Sequence, residues 1–169
     1  IANVNLSSSH WAGAIVGFMY GTIENCHVDG GDIKVSVKDG DNGDKAGGIV
    51  GYICGEPYSL VKGCSVKNLT VTAYRDVAGI AGCTNGTVEI TNNSVDKVTV
   101  IANMLQDGGK TLADANADKV VGRNIANADL STNTTNNVTV TIYGIDSEGV
   151  ATVGTAAGMT YALNNDVTT

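Results

Sequence analysis

Short apolar runs bounded by glycine or asparagine recur along this chain of 169 residues. The phrase HWAGAIVGFMYG begins at His10, KAGGIVGYICG at Lys45 and DVAGIAGCTNG at Asp76. Each is followed by a second phrase, such as GTIENCHV or SLVKGCSV, and then by an alternating stretch such as IKVSV or LTVTA. Segments rich in Val and Thr between Gly or Asn turns are typical of β-strands. The pattern therefore predicts three short strands in each repeat.

The repeat length predicts how these strands are assembled. The central glycines Gly13, Gly48 and Gly79 are roughly 30 to 40 residues apart, as expected of a repeat architecture. A fourth copy, KVVGRNIAN, places its glycine at Gly122, with Arg123 and Asn124 where the other copies have the Ile-Val pair. That substitution predicts the loss of a buried apolar rung at the end of the stack.

Three short strands cannot bury their own apolar face, but copies stacked in parallel at a spacing of about 4.8 Å can. Parallel crossovers are almost always right-handed. The predicted fold class is therefore all-β: a right-handed parallel β-helix (solenoid) of about four coils over residues 1–144. A β-sandwich also uses short strands and is the alternative, although it does not explain why the sequence recurs.

In such a stack, equivalent residues of successive coils form ladders. Strand alternation lets only one of the two columns of the Ile-Val pair point inward, and we expect it to be the isoleucine column. The glycine that follows the Ile-Val pair in each phrase is expected at a corner, where it lets the coil turn tightly. The predicted structural ladders are Ile15, Ile49 and Ile80; Gly17, Gly51 and Gly82; and Cys26 and Cys64, continued by Asn93 and then by Asn136 or Asn137.

The four cysteines permit two interpretations. Cys26 and Cys64 hold equivalent places, and Cys54 and Cys83 hold roughly equivalent ones. An even count in an exported protein is compatible with disulfides. Stacked rungs with parallel Cβ vectors strain a disulfide, however, so we predict free thiols that pack as small apolar residues.

The tail, residues 145–169, departs from the repeat. Its apolar residues Ala157, Met159, Ala162 and Leu163 lie near helical spacing, which predicts a strand followed by a short helix. This segment either caps the open end of the coil or begins a following domain. The chain begins with Ile1 and without the features of a signal peptide, so we expect a processed or excised part of a longer chain.

Charge and composition exclude several classes of function. A net charge of −7 and a pI near 4.5 argue against binding to nucleic acid or to anionic lipid. The longest apolar runs are far shorter than the ~18 residues of a membrane span. The acidic loop KDGDNGD at residues 38–44 fails the EF-hand pattern and is interpreted as a solvated turn. His10 and His27 are expected at the surface, and no catalytic residue, metal site or cofactor is predicted.

The stretch AGGIVGYICG, with its partner VKGCSVKNLTV, resembles the glycine-rich GLUG-type repeats of large bacterial surface proteins, including adhesin-like proteins of Bacteroides relatives. The resemblance covers residues 1–144. It implies a non-enzymatic module for adhesion, display or rigid spacing, located outside the cell or on the bacterial surface. The implied partners are a host or microbial glycan or protein, together with other domains of a longer chain.

Two further functions stay open at the level of sequence. A β-helix can host a polysaccharide lyase or a glycosidase-like enzyme, and glycosidases need two carboxylates about 5 to 9.5 Å apart. No ladder position repeats an acidic residue in adjacent coils, which disfavours the enzyme. An ice-binding face would use the threonine rungs Thr70, Thr99 and Thr139, but Lys34 or Ser36 interrupts that ladder in the first coil.

Overall fold

The chain is all-β, as the sequence predicts. The computed structural model describes residues 1–36, 45–106, 111–146, 148, 150–155 and 160–162, and most of them lie in strands. Two single 3-10 turns, at Met104–Gln106 and Leu112–Asp114, interrupt the pattern within the long polar loop. The strands are β1 (Ala2–Ser8), β2 (Trp11–Gly13), β3 (Val16–Met19), β4 (Gly21–Glu24), β5 (His27–Val35), β6 (Lys45–Gly47), β7 (Val50–Lys62), β8 (Ser65–Ala73), β9 (Asp76–Ala78), β10 (Ala81–Thr91), β11 (Ser94–Asp96), β12 (Thr99–Asn103), β13 (Asn116–Asp118), β14 (Val121–Asn124), β15 (Thr134–Asn136), β16 (Thr139–Ile145), β17 (Ala151–Thr155) and β18 (Thr160–Ala162).

These strands form three sheets. Sheet 1 has the order β1-β5-β8-β12-β16-β17-β18, with the short strands β11 and β15 alongside; sheet 2 has the order β14-β10-β7-β3, with β4 also paired to β7; and sheet 3 has the order β13-β9-β6-β2. Pairing is parallel throughout sheets 2 and 3 and from β1 to β16 in sheet 1. From β2 onward the chain visits sheet 3, sheet 2 and sheet 1 in that order and then begins again.

The isoleucines of the repeated phrase lie directly over one another. The backbone N–H of Ile15 donates to the carbonyl of Ile49 over 3.2 Å, and that of Ile49 donates to Ile80 over 3.0 Å. Ile80 in turn donates to the carbonyl of Val120 over 3.1 Å. Ile49 and Ile80 are fully buried, whereas Ile15, in the first copy, is half-buried.

The expectation that only one column of the Ile-Val pair points inward is wrong. Val50 and Ala81 are as fully buried as Ile49 and Ile80. The reason is a bend at residues 48–49 and 79–80, between sheets 3 and 2, which interrupts the strand before each valine position. Strand alternation applies only within a continuous strand, so both neighbours bury their side chains at this corner.

The glycine column does not lie at the corner, and this prediction is also wrong. Gly17, Gly51 and Gly82 lie inside β3, β7 and β10, just after the bend. A Cβ on Gly51 would lie 2.6 Å from the backbone nitrogen of Ala12, and one on Gly82 would lie 2.6 Å from that of Ala46. Sheets 2 and 3 therefore approach each other so closely here that their backbones leave no room for a side chain.

The fourth copy retains its apolar rung, contrary to the sequence prediction. Ala81 pairs with Val121, and Cys83 pairs with Arg123, so Gly122 lies beside Gly82 and not beside Gly79. Val120 and Val121 therefore occupy the Ile-Val places, and both are buried. The sequence alignment placed the glycine of this copy three residues out of register, because Lys119 stands where the other copies have a small residue.

Sheet 1 closes the core opposite the corner. Val28, Val66 and Val95 pair with one another in register and are buried. A Cβ added to Gly48 would lie 2.8 Å from a Val66 methyl group, so the bend packs directly against this valine column. The apolar interior therefore consists of residues supplied at matching positions by all three sheets.

Asparagine recurs in the repeat because the turns require a left-handed backbone. Two turn positions have positive φ in successive copies, where Asn and Gly are the residues that tolerate it best. These residues are Asn25, Gly63 and Asn92 at one turn, and Asn3, Gly30, Asn68, Lys97 and Asn137 at the other.

The tail is strand where a helix was expected. β17 pairs with β16 in antiparallel fashion, and β18 pairs with β17 in the same way. Thr160–Ala162 is therefore extended, which contradicts the predicted helix in the part of that segment that the structure describes. The apolar spacing of the tail was too short to separate a helix from a strand. The predicted domain boundary at residue 144 falls within β16, and the role of the tail as a cap or as the start of another domain stays a prediction.

Candidate functional site

The cysteine column contains Cys26, Cys64 and Asn93 at successive levels. The backbone N–H of Ser65 donates to the Cys26 carbonyl, and that of Ser94 donates to the Cys64 carbonyl, both over 2.9 Å. Thr134 donates to the Asn93 carbonyl over the same distance, which places Asn133 next in the column. The prediction that Asn136 or Asn137 continues this column is therefore wrong. The cause is the same misalignment of the fourth copy that displaced its glycine phrase.

The buried side chain of Asn93 forms hydrogen bonds to neighbouring levels of the column. Its Oδ1 accepts from the Cys64 backbone N–H over 2.8 Å, and its Nδ2 donates to the Val61 carbonyl over 3.0 Å. The Asn133 Oδ1 accepts from both the backbone N–H and the Nδ2 of Asn93. The Asn93 amide therefore joins three levels of the stack, which makes its role structural.

Replacing Asn93 tests that role. Asn93→Ala leaves a buried N–H on Cys64 and a buried carbonyl on Val61 without their partner, and each such group costs about 1–3 kcal/mol. We expect the free energy of unfolding, measured in urea, to fall by about 2–4 kcal/mol. The matched control is Asn136→Ala, whose exposed amide binds only Asp96 among the described contacts and should cost less than about 1 kcal/mol. Equal losses for the two variants would contradict the assigned role.

All four cysteines are free thiols in the structure. Cys54 and Cys83 do not share a column, because Cys83 pairs with Tyr52 and Cys54 pairs with Asn85. Burial raises the pKa of the Cys64 thiol. Burial, followed by the negative charge of Asp76, also raises the pKa of Cys83. Buried thiols held in their protonated form are poor nucleophiles, so this pair is inert.

Thiol labelling tests this assignment. In the folded protein at pH 8 we expect a thiol reagent to modify the half-buried Cys26 and Cys54 well before Cys64 and Cys83. Peptide mass spectrometry would identify the modified sites. The folded state keeps the Cys64 and Cys83 protons at a pH where the unfolded chain loses them, so stability falls as the pH rises above about 8.5. Rapid labelling of all four thiols without denaturant would contradict this.

Two columns of variable residues face each other on sheets 2 and 3. The residue four positions before the Ile place of each copy forms one column, Trp11, Lys45, Asp76 and Asn116. The residue three positions after that place forms the other, Phe18, Tyr52, Cys83 and Arg123. We call these the paired columns. Sequence reasoning missed them, although the variation of both positions within an otherwise repeated phrase was a visible signal.

The first end of the paired columns is aromatic. The rings of Trp11 and Phe18 stack with centroids 4.9 Å apart and an interplanar angle of 28°. Phe18 also contacts Tyr52 at 5.3 Å and Tyr20 at 4.9 Å. Four of the eight aromatic residues of the chain therefore meet in one cluster, which we call the aromatic patch. Tyr20 is 62% exposed and the other three are half-buried, so the patch lies at the surface.

The other end of the paired columns is ionic. The Asp76 carboxylate is completely buried and accepts from the Asn116 amide over 2.7 Å. Its nearest described cation is the Arg123 guanidinium, with Nη2 at 2.8 Å from Oδ2. Arg75 Nε is 3.5 Å away and the buried Lys45 Nζ 3.9 Å. We call this group the Asp76 cluster.

Lys45 connects the two ends. Its ammonium lies 5.6 Å from the centre of the Tyr52 ring, within the range of a cation–π contact. The same group faces the carboxylate of Asp76, so it is enclosed between the patch and the cluster. The Asp76 carboxylate is therefore held by an amide and several cations inside the protein, which is a structural arrangement.

Other candidate chemistry has no support in the described parts of the chain. His10 and His27 are exposed, and His27 Nδ1 lies 2.8 Å from the Ser65 hydroxyl. Among the described residues, no group of three or more His, Cys, Asp or Glu side chains is placed to hold a metal ion. The candidate loop at residues 38–44 lies outside the described residues. No helix in the described ranges is long and apolar enough to cross a membrane.

Comparisons of the chain with known sequences and structures found no match. No protein-family model matches the chain, and no curated protein or solved structure matches it either.

Proposed function

We propose that the chain is a right-handed parallel β-helix of about four coils built from GLUG-type repeats. The support is the order in which the chain visits its sheets, together with the parallel register that holds equivalent residues side by side. The resemblance of the glycine phrases to that repeat class supports the same proposal.

From this we infer a non-enzymatic module of a bacterial cell surface that serves in adhesion or display as part of a longer protein. The observation that carries the adhesive role is the aromatic patch, because an aromatic-poor chain concentrates half of its aromatic residues at one exposed place. Exposed aromatic clusters on otherwise polar surfaces are typical of binding sites. The stacked sheets would supply a rigid support, since the residues that bind a ligand are commonly held in position by a rigid scaffold.

The direct test is retention of ligands by the purified, immobilised chain. A panel of neutral and acidic glycans and of extracellular matrix proteins would be passed over it, with a chain unfolded by heat as the control. We expect saturable retention of at least one component by the folded chain only. A chain that retains none of them would overturn the adhesive role in favour of a rigid spacer.

The enzymatic alternative is tested with the same preparation. The chain would be incubated with acidic and neutral polysaccharides, and the reaction followed by unsaturated products and by new reducing ends. We expect no turnover above the heated control. Measurable turnover would overturn the proposal and favour a polysaccharide lyase or a glycosidase-like enzyme.

A further inference from the structure

We propose that Asn85 is a site of spontaneous deamidation, at which the backbone nitrogen of Gly86 displaces the side-chain amide and a carboxylate is left on sheet 2. The inference concerns a covalent change within this chain and is independent of the adhesive function proposed above. Asparagine is among the thermolabile residues of proteins. Whether a given asparagine reacts depends on where its side chain lies relative to the next backbone nitrogen.

The side chain of Asn85 is folded back onto the reacting nitrogen. The Gly86 N–H donates to the Asn85 Oδ1 over 2.9 Å, so the carbonyl carbon Cγ, one bond from that oxygen, lies beside the nucleophile. The other described contact of the amide is a long one, from Nδ2 to the Tyr52 hydroxyl at 3.5 Å. Asn85 and Gly86 are both exposed, so water reaches the site and the amide is lightly held.

Glycine at position 86 favours the attack. It has no side chain to shield its nitrogen, and its φ of +80° lies in the left-handed region that other residues rarely adopt. A Cβ on Gly86 would also lie 2.8 Å from the carbonyl oxygen of Gly55, its partner in β7. The fold therefore requires a glycine at the position where a glycine makes the preceding asparagine reactive.

The reaction has two balanced steps. In the first, the Gly86 nitrogen forms a bond to Cγ of Asn85 and gives its proton to hydroxide, while the Cγ–Nδ2 bond breaks and the leaving group takes a proton from water to depart as ammonia. The product is a succinimide ring. In the second step, one water molecule opens the ring. Attack at the side-chain carbonyl gives an aspartyl residue, and attack at the main-chain carbonyl gives an isoaspartyl residue.

Other asparagines of the chain provide internal comparisons. Only Asn42 and Asn85 are followed by glycine in the sequence, and Asn42 lies outside the described residues. Asn93 is buried, and its amide is bonded to neighbouring levels of the stack. Asn68 is exposed, but its amide donates to Asp29 over 2.7 Å and a leucine follows it. Neither Asn93 nor Asn68 combines exposure, a lightly held amide and a following glycine.

Conversion changes both the charge and the main chain. It adds one negative charge to a chain that already carries −7. The isoaspartyl form also lengthens the main chain of β10 by one methylene group, and β10 pairs with β7 on one side and with β14 on the other. An insertion in a paired strand disrupts the ladder locally. We therefore expect the isoaspartyl form to unfold at a lower temperature than the aspartyl form.

Ageing the purified chain in mildly alkaline buffer tests the site. Folded chain, and chain unfolded in guanidinium chloride, would be incubated in water enriched in heavy oxygen, which labels each new carboxylate, and then analysed by peptide mass spectrometry. In the folded chain we expect Asn85 to convert at least about tenfold faster than Asn68 or Asn93. We also expect Asn85 to convert no more than about threefold slower in the folded chain than in the unfolded one.

Two variants, both made in an Asn42→Gln background so that a single Asn-Gly pair is left, identify the products. Asn85→Gln is the matched control, because its longer side chain disfavours ring closure, and it should form no acidic species at this site. Asn85→Asp supplies the aspartyl reference for anion exchange. The isoaspartyl fraction of the aged parent should melt below Asn85→Asp.

The rates decide the proposal. Protection of Asn85 by more than about tenfold in the folded chain would overturn it, because the fold would then hold Cγ away from the Gly86 nitrogen. Faster conversion at Asn68 than at Asn85 would also overturn it. Equal melting temperatures for the isoaspartyl fraction and Asn85→Asp would refute the effect on β10.

Discussion

Asp76→Ala should destabilise the protein by about 3–5 kcal/mol, which is a large part of the stability of a domain of this size. The carboxylate is completely buried, and its removal takes away an anion that lies 2.8 Å from the Arg123 guanidinium and 3.9 Å from the buried ammonium of Lys45. Breaking a buried ion pair from one side costs more than replacing the whole pair with apolar groups. Urea unfolding at pH 7, followed by circular dichroism, measures the effect.

Two further variants show whether the charge itself is responsible. Asp29→Ala is the matched control, because Asp29 also accepts from an asparagine amide at 2.7 Å but is exposed, and its loss should cost less than about 1 kcal/mol. In the double variant Asp76→Ala with Arg123→Ala, we expect the loss to be smaller than the sum of the single losses by about 1–3 kcal/mol. A loss of less than 1 kcal/mol for Asp76→Ala would contradict the structure of the cluster.

Gly47→Ala is expected to cost at least about 3 kcal/mol, although it adds only one methyl group. The added Cβ would overlap the Val50 carbonyl oxygen and lie 2.5 Å from that of Ile80. Both are backbone atoms in the corner between sheets 3 and 2, so they cannot move without breaking the ladder hydrogen bonds of neighbouring copies. Thermal and urea unfolding would both record the loss.

Gly154→Ala provides the matched control for this prediction. Gly154 is also a buried strand glycine, but its added Cβ would come closest to the end of the Leu112 side chain, at 3.2 Å, and would lie at an ordinary 3.9 Å from the Ile142 carbonyl oxygen. A side-chain methyl group can move aside, so the cost should stay below about 1 kcal/mol. If Gly47→Ala were as stable as Gly154→Ala, the close approach of sheets 2 and 3 would be refuted.

Two of the predictions that the structure contradicts, the register of the fourth copy and the helix in the tail, share one physical origin. The placement of Gly122 beside Gly79 came from matching glycines, whereas the structure matches Val120 and Val121 to the Ile-Val pair. Burial decides the register, because a slip would expose two apolar side chains and bury polar ones. The helix expected in the tail failed for a similar reason, since pairing of Thr160–Ala162 with the open edge of β17 outweighs a short apolar spacing.

The sequence by itself determined the equivalence of Ile15, Ile49 and Ile80, because a repeated phrase places them at the same point of successive copies, but it did not determine the register of the fourth copy. It also determined the all-β class, since short Val- and Thr-rich segments between Asn and Gly turns favour strands. Only the tertiary structure decided which columns face each other. The meeting of Trp11 with Phe18 and of Asp76 with Arg123 depends on the bend between sheets 3 and 2, which no repeat period encodes. That bend requires backbones in contact, and for this reason the glycines beside it lack side chains while the residues flanking them form the candidate site.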